Sequence, residues 1–536
     1  MAFTVIQAGA DLQLVATNGT ITTLALPAGI TLRQDVPPRW AVYGRFVVLV
    51  NTPSRAVTID STGTVRPLTP LPPRLAPVVS GASGGALSGT YGGLRYTNVI
   101  TDSAGNVVAE SDFSPASASV TISAQDLKAA SLDISPDAIS LRRVYRPTTN
   151  GAVLFQWIDL NGNVLTAVQD DLSDAGLSLT AAPILGTPPR LTRIAEFRDR
   201  LFGVGDVNID SVFYTETGLM YSWPSDNEIV IPRVGSDTIG IVALLSRREA
   251  LGVGRLNRLM QVTGTGIEDS TGSVDLRVIK LSDECGFVSQ EAANVYRDIG
   301  YFLWLDGVYQ WDDNGLTCVS DGSAGHARVR SWFATDDYFD RNKFSRSFSM
   351  IDPLRNKYRL FLYDPDGALK FVEFDLNERT WTGPHSTAAF TPRCAFVRQN
   401  TRQVSIPTIG GSDGGLYQEN ATASDVAIDG TPYGIDYDVD TKFFQGTSPD
   451  VEQYFGEISV LGKVQAAGTV AVTPRVGYLN APAQAAISYN MRLGRQRLRR
   501  LGVGKMAQLN FRHSTVNEPV ALYGFEIDDV HEIGRR

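Results

Sequence analysis

Two short runs carry the side chains best placed for chemistry. In Asp436-Tyr-Asp438-Val-Asp440 the carboxylates stand two residues apart, and a strand sends alternate side chains to the same side, so Asp436, Asp438 and Asp440 share one face. A row of this kind can ligate calcium, but the glycine and the bidentate glutamate of an EF-hand loop do not follow. A solvated or partner-facing acidic stripe is the stronger reading. In RLGRQRLRRLGVGK, residues 492–505, Arg495, Arg497 and Arg499 alternate in the same way, with Leu498 and Leu501 as packing candidates. Such a stripe can face phosphates, stand in solvent, or meet an acidic stripe such as Asp436, Asp438 and Asp440 on a neighbouring copy. Heterologous ring contacts join unlike surfaces, and complementary charge sets their register. The inter-subunit and solvated readings stand level, with DNA contact behind them.

Other chemistry finds little footing. The histidines His326, His385, His513 and His531 are far apart and form no HxH, HxxxH or HExxH pattern, so isolated polar or core roles are expected rather than zinc ligation. Cys285, Cys318 and Cys394 form no CxxC pair, too few for a disulfide framework, and are expected as buried or semi-buried thiols. There is no GxSxG elbow and no P-loop; Gly252-Val-Gly254 and Gly264-Thr-Gly266 are bare glycine pairs. Paired carboxylates for glycoside hydrolysis are a matter of spatial separation, which sequence does not give. No catalytic residue, metal or cofactor is expected.

The elements that must position these side chains are strands. Runs rich in β-branched and aromatic residues alternate with Asp, Asn and Gly, as in Ala56–Val65, Trp157–Leu165, Leu303–Trp311 and Leu360–Phe371. That is the pattern of strand, hairpin turn and strand, because Asp, Asn and Gly tolerate the positive φ of tight turns. Trp304, Trp311, Trp332 and Trp381 alternate with apolar residues and are expected in sheet cores. The one helix expected runs from Ser282 to about Ala293. The chain has 536 residues, which implies three or more cores. A net charge of −9 disfavours a protein whose main task is to grip phosphate backbone, while leaving room for a surface past which DNA slides. The opening MAFTVIQAGADLQLV lacks a basic run followed by an apolar one, so no signal peptide is expected. No apolar run reaches the length of a membrane span.

Three breaks divide the chain. Residues 67–93 are Pro-rich and then Gly/Ser-rich, the composition of an extended linker; Ala182–Pro189 and Gly410–Gly415 mark the others. The expected domains are therefore N-terminal hairpins of a propeller over 1–80, an inserted sandwich over 81–186, propeller blades over 187–425, and a C-terminal β-sandwich over 426–536.

Within these limits the residues carry a family likeness. Tyr96–Pro115, Leu141-Arg-Arg-Val-Tyr-Arg146 and Asp170–Ala175 resemble the opening strands, central strand and closing turn of fibronectin-III-like domains inserted in phage virion proteins. Phe197–Val204, Val212–Glu216, Asn227–Pro232, Asp237–Gly240, Gly286–Ser289 and Gly300–Tyr309 resemble propeller strands of the same proteins, the tail-nozzle or packaged-DNA-stabilisation proteins of short-tailed phages. The resemblance spans most of residues 90–380 and, more loosely, the C-terminal sandwich ending in Leu522–Glu526. It implies an all-β fold, a β-propeller-like body with an inserted immunoglobulin/fibronectin-III-like sandwich and a C-terminal β-sandwich. It also implies a non-enzymatic virion protein made in the host bacterial cytoplasm. Copies would form a homo-hexameric ring below the portal–adaptor assembly, contact other tail proteins, and enclose a channel for double-stranded DNA. The competing readings are a carbohydrate-binding or carbohydrate-cleaving propeller and a monomeric propeller scaffold.

Overall fold

Strands dominate from the first residues onward, and nearly every one pairs antiparallel with its neighbour in sequence. The computed structural model describes residues 3–34, 36–50, 52, 55–178, 180–233, 238–267, 274–322, 328–386, 390–418, 424–426, 432–434, 437–445, 451–478, 481–515, 520 and 522–533. The chain folds as two compact units. Met1–Ser386 with Pro392–Gly410 form the first, and Thr387–Thr391 with Gly411–Arg536 the second.

In the first unit, seven sheets among the described residues follow one another as meanders. Blade 1 holds Phe3–Ala8, Asp11–Ala16 and Ile21–Leu24; blade 2 holds Arg39–Tyr43, Phe46–Val50, Val57–Ile59 and Val65–Pro67. Blade 3 runs from Leu191 to Val230, blade 4 from Ala243 to Ser282, blade 5 from Asn294 to Cys318 and blade 6 from Phe348 to Ser386. Blade 7 supplies Pro392–Gln399 and Ser405–Gly411. From blade 2 to blade 7 the first strand of each sheet lies beside the first strand of the next, and that of blade 7 lies beside that of blade 1. Blades 1 and 2 share one core, in which Leu12, Leu24 and Ile30 pack on Leu49, Val57 and Ile59. The sheets therefore close a circle around their first strands, a propeller-like body.

Local chemistry explains the turns. Blades 3 and 5 pass from first to second strand through Arg198-Asp199 and Arg297-Asp298, all four at φ between 50° and 64°. Positive φ at both central positions matches the twist of a hairpin, and Asp is among the residues that tolerate it. The second of these turns also locks neighbouring blades: Arg247 Nε of blade 4 donates to the Asp298 carbonyl at 2.6 Å, while its guanidinium lies 4.8 Å from the Trp311 ring centre.

The inserted sandwich sits between blades 2 and 3 in sequence. One sheet is ordered Val107–Glu110, Arg95–Thr101, Leu141–Pro147, Leu154–Asn161; the other Ala167–Asp170, Val120–Ala130, Val78–Tyr91. Tyr96, Val144, Leu127 and Trp157 fill the space between them. Serines at a spacing of three hold the chain that leaves the first sheet. Ser111, Ser114 and Ser117 each accept through Oγ from the amides of Asn98, Tyr96 and Leu94 at 2.9–3.1 Å, and each donates its own amide to the carbonyl of the same residue at 2.9 Å.

Two sequence expectations are corrected here. The Pro/Gly/Ser-rich stretch is not a linker throughout: Val78–Tyr91 is a fourteen-residue edge strand. Its glycines permit close approach, since a Cβ on Gly85 would lie 2.6 Å from the Asp126 amide nitrogen. The expected helix over 282–293 is absent from those residues. The Ser282 hydroxyl does accept from the amides of Glu284 and Cys285, as a helix cap would. The Phe287 amide is instead taken by the Arg255 carbonyl at 2.9 Å, which draws the chain out along blade 4.

The second unit contains the C-terminal sandwich. One sheet is ordered Tyr437–Asp440, Met506–His513, Thr469–Gly477, Ile487–Asn490; the other Arg495–Gly504, Gln453–Gly462, Leu522–Ile527. Phe455, Ile458, Val472, Tyr489, Leu509 and Phe511 form its core. The chain is thus all-β, with a propeller-like body, an inserted sandwich and a C-terminal sandwich.

Candidate functional site

The arginine stripe lies on the edge strand Arg495–Gly504 of the second C-terminal sheet. Arg495 stands opposite Leu461 and Arg497 opposite Ser459, but the register slips between Ser459 and Glu457, so Arg500 is the residue opposite Glu457. Such a bulge re-aims the side chains beyond it. Arg499 is thereby turned away from the other two: it is partly buried and donates to Gln484 Oε1 at 2.6 Å. Strict alternation assigns Arg499 to the same face as Arg495 and Arg497; the slip explains why that expectation fails. It also explains how Leu498 and Leu501, three apart, both reach the core.

Arg495 and Arg497 find acids on their own sheet. Arg495 Nη2 lies 2.8 Å from Glu526 Oε2, and Arg497 Nη2 lies 3.9 Å from Asp528 Oδ2, with all four side chains at least a third exposed. Asp438 and Asp440 belong to the other sheet, opposite Arg512 and Asn510. Asn510 Nδ2 donates to Asp438 Oδ1, and both aspartates are exposed. Asp436 lies outside the described residues. The two stripes therefore sit on different sheets of one sandwich. The acids that pair with Arg495 and Arg497 are Glu526 and Asp528, which sequence spacing did not single out.

The histidines serve locally. The His385 ring lies 5.0 Å from that of Phe371, tilted by 39°, and burial lowers its pKa. His513 Nδ1 lies 2.6 Å from the Thr469 carbonyl, His531 pairs with Asp529, and His326 lies outside the described residues. Among the described residues no three His, Cys, Asp or Glu side chains converge as a metal site. Cys285 is buried and its thiol pKa is pushed up by burial; Cys318 is half-buried. Cys394 is exposed, against the expectation for all three. Trp311 and Trp381 are in the core and Trp304 packs against it, but Trp332 sits in the helical turn Ser331–Ala334 rather than in a strand.

Buried arginines hold the first unit together, a feature that alternating patterns do not reveal. In the insert, the wholly buried Arg142 donates to the carbonyls of Asp133 (2.8 Å), Leu132 (3.4 Å) and Leu165. Arg146 pairs with Asp174 at 2.7 Å and lies over the Tyr91 ring. In the propeller, Arg255 joins Asp210 at 2.6 Å to the Ile239 carbonyl at 2.8 Å. Arg359 and Lys357 clasp Glu373; burial opposes its charge, but the two cations hold its pKa down at about 2.

The insert is fixed to blade 2 in the same way. Arg55 donates to both Asp137 oxygens at 2.7 and 2.8 Å, and the Leu71 amide donates to Asp137 Oδ2 at 2.7 Å. Arg45 pairs with Asp102. Beneath these bonds Ile100, Val108 and Ala109 of the insert share a core with Tyr43, Val48 and Leu68 of blade 2 and Ile194 and Tyr221 of blade 3.

At the centre of the propeller, Arg39 of blade 2 lies 2.5 Å from Glu291, which precedes blade 5. Blades 2 and 5 are three steps apart in the circle of seven, so the pair links two distant parts of it. Arg193 of blade 3 donates to the Val242 carbonyl. Burial and the charge of Arg39 lower its pKa to about 10, and Glu291 opposes that shift. Of two surface cavities, one of 360 Å³ is lined by Asn294, Ser349, Ile351 and Phe396 and the other, of 440 Å³, by Pro183, Ile184, Glu216 and Ile267. Neither brings two carboxylates together.

No family model and no curated protein matches the chain. Solved structures that align with it include a chain of the mitotic checkpoint complex, at 11% identity and a TM-score of 0.28, over 75% of this chain and 96% of that one. An exo-β-1,3-galactanase from Phanerochaete chrysosporium aligns at 9% identity and a TM-score of 0.22, over 62% and 95%. PorZ, a surface component of the type-IX secretion system of Porphyromonas gingivalis, aligns at 11% and 0.25, over 99% and 75%. At TM-scores this low these likenesses carry no argument.

Proposed function

We propose that the protein is a structural component of a bacteriophage tail, a nozzle or hub subunit that acts by shape rather than by bond chemistry. Copies close into a homo-oligomeric ring, six by family resemblance, below the portal–adaptor assembly. The ring encloses the DNA channel, retains the packaged genome and lets it leave. The observation that carries this reading is the fixing of the insert on blade 2 through a continuous apolar core and the bidentate Arg55–Asp137 pair. Inter-domain contacts that are small and polar leave modules free to swing; this one makes sandwich and propeller a single rigid block, as a wall under internal pressure requires. The Arg39–Glu291 pair between distant parts of the propeller favours a conduit between copies over one through each copy. The net charge of −9 suits a lumen to which DNA does not adhere. The test is electron microscopy of particles carrying a tagged copy and decorated with an anti-tag Fab. Label on the tail axis below the head is expected; purified particles without label, with the tagged protein soluble in the lysate, would overturn the reading.

A further inference from the structure

On the first strands of blades 2 and 3, two cations share a single acid. Arg39 and Arg193 converge on one residue: Arg39 Nη1 lies 3.5 Å from the Thr192 carbonyl, and Arg193 Nη1 lies 3.1 Å from the Thr192 hydroxyl. Arg39 has Glu291 as its acid, and the second Glu291 oxygen lies 3.0 Å from the Ser289 hydroxyl. Among the described residues no carboxylate pairs with Arg193. Its Nε donates to the Val242 carbonyl, a neutral group. Two guanidinium groups and one carboxylate leave a positive charge unbalanced, and both burial and like charge act against it.

The surroundings are fixed. The segment that carries Glu291 is bound to three blades at once. Gln290 exchanges bonds of 2.7 and 2.9 Å with the Leu244 backbone of blade 4. The Glu291 carbonyl accepts the Ser349 amide of blade 6 at 2.8 Å, and the carboxylate holds Arg39 of blade 2. Arg193 Nη2 has no partner among the described residues and is not sealed from solvent, so a small ligand can reach it. A guanidinium presents its N–H donors in a planar fork that matches two oxygens of one anion. An oxyanion supplies both things that are missing here, acceptors for the open N–H groups and a negative charge for the second cation. A neutral ligand supplies only the first.

We infer that Arg193 and Arg39 bind a small tetrahedral oxyanion, inorganic phosphate or sulfate, beside Thr192 between the first strands of blades 2 and 3. The ion ties the two blades together, and the site does not depend on the tail reading. Isothermal titration calorimetry of the full chain with inorganic phosphate, at an ionic strength held constant with chloride, tests it. The parent should bind phosphate, and R193Q should bind it at least about tenfold more weakly. E291Q should bind it at least about tenfold more tightly, because the carboxylate that competes for Arg39 is gone. R495A/R497A, which lacks two exposed arginines, should bind as the parent does. A short DNA duplex at equal phosphate concentration should not displace the ion. Absence of binding by the parent, equal affinity in the parent and R193Q, or loss of affinity in R495A/R497A would overturn the site. Should R193Q fail to fold, an E291Q affinity no higher than the parent's would overturn it as well. Displacement by the duplex would give the arginines to nucleic acid and overturn the free ion.

Discussion

Arginine does different work in the two units. In the insert and propeller, Arg142, Arg146, Arg200 and Arg255 are wholly buried and bind carbonyls or acids of neighbouring loops. In the C-terminal sandwich, Arg495 and Arg497 lie more than half exposed over their sheet and pair with Glu526 and Asp528. A buried guanidinium has five donors to place and no water to take them, so it dictates where several loops must run. An exposed one gains little over its hydration. The first unit is thus stapled from within, while the charges of the second are available to its surface.

The largest expected effect comes from removing a staple. R142M leaves the carbonyls of Leu132, Asp133 and Leu165 without their donor and should cost about 3 kcal/mol or more. Hydrogen exchange should show faster opening at residues 132–136 and 163–166 than in the C-terminal sandwich; equal protection would break the contrast.

Next comes E373Q in blade 6, which strands Arg359 and Lys357 and should destabilise by about 3 kcal/mol at neutral pH. Glu373 is depressed in the folded state from an ordinary value of 4.5 to about 2. Its contribution is therefore complete above 4.5 and is lost as pH falls from 4.5 towards 2. Urea midpoints across that range should fall more steeply for the parent than for E373Q.

Glu110 in the insert is the opposite case. Burial raises its pKa, although Thr97 and Tyr145 donate to it and Arg143 lies 3.9 Å away. A raised folded pKa stabilises below the unfolded value, and that stabilisation is lost as pH rises through the folded one. E110Q keeps an acceptor for both hydroxyls, so neutral-pH stability should hold or rise by about 1 kcal/mol, with a flatter dependence on pH. A marked loss in the urea midpoint would show that the charge itself is needed.

The smallest effect is expected for R495A and R497A, each within about 0.5 kcal/mol, with chemical denaturation as the measure. A larger loss would mean that these pairs bind the sandwich as Arg142 binds the insert.

The sequence carried the all-β class plainly, because hairpin signals such as Asp306-Gly307 and Asp366-Gly367 depend on local backbone preference alone. Composition misled where a tertiary neighbour overruled it. The glycines of Val78–Tyr91 read as linker until Val120–Ala130 pairs with them, and the cap-like Ser282 opens no helix because the Arg255 carbonyl takes the Phe287 amide. The arginine stripe was legible as a charged strand but not in its phase: one slip opposite Ser459 and Glu457 moves Arg499 off the face. The buried arginines gave no local signal, since all but one of their partners named here lie from 9 to 66 residues away, the Pro147 carbonyl next to Arg146 being the exception.

The proposed ring has its opening between copies rather than through them. Averaged end-on images of the purified assembly by cryo-electron microscopy would decide this. A closed ring with one wide central opening is expected, with no passage through each propeller beside the Arg39–Glu291 pair. Single copies only, or an open passage through each propeller with no shared opening, would contradict it.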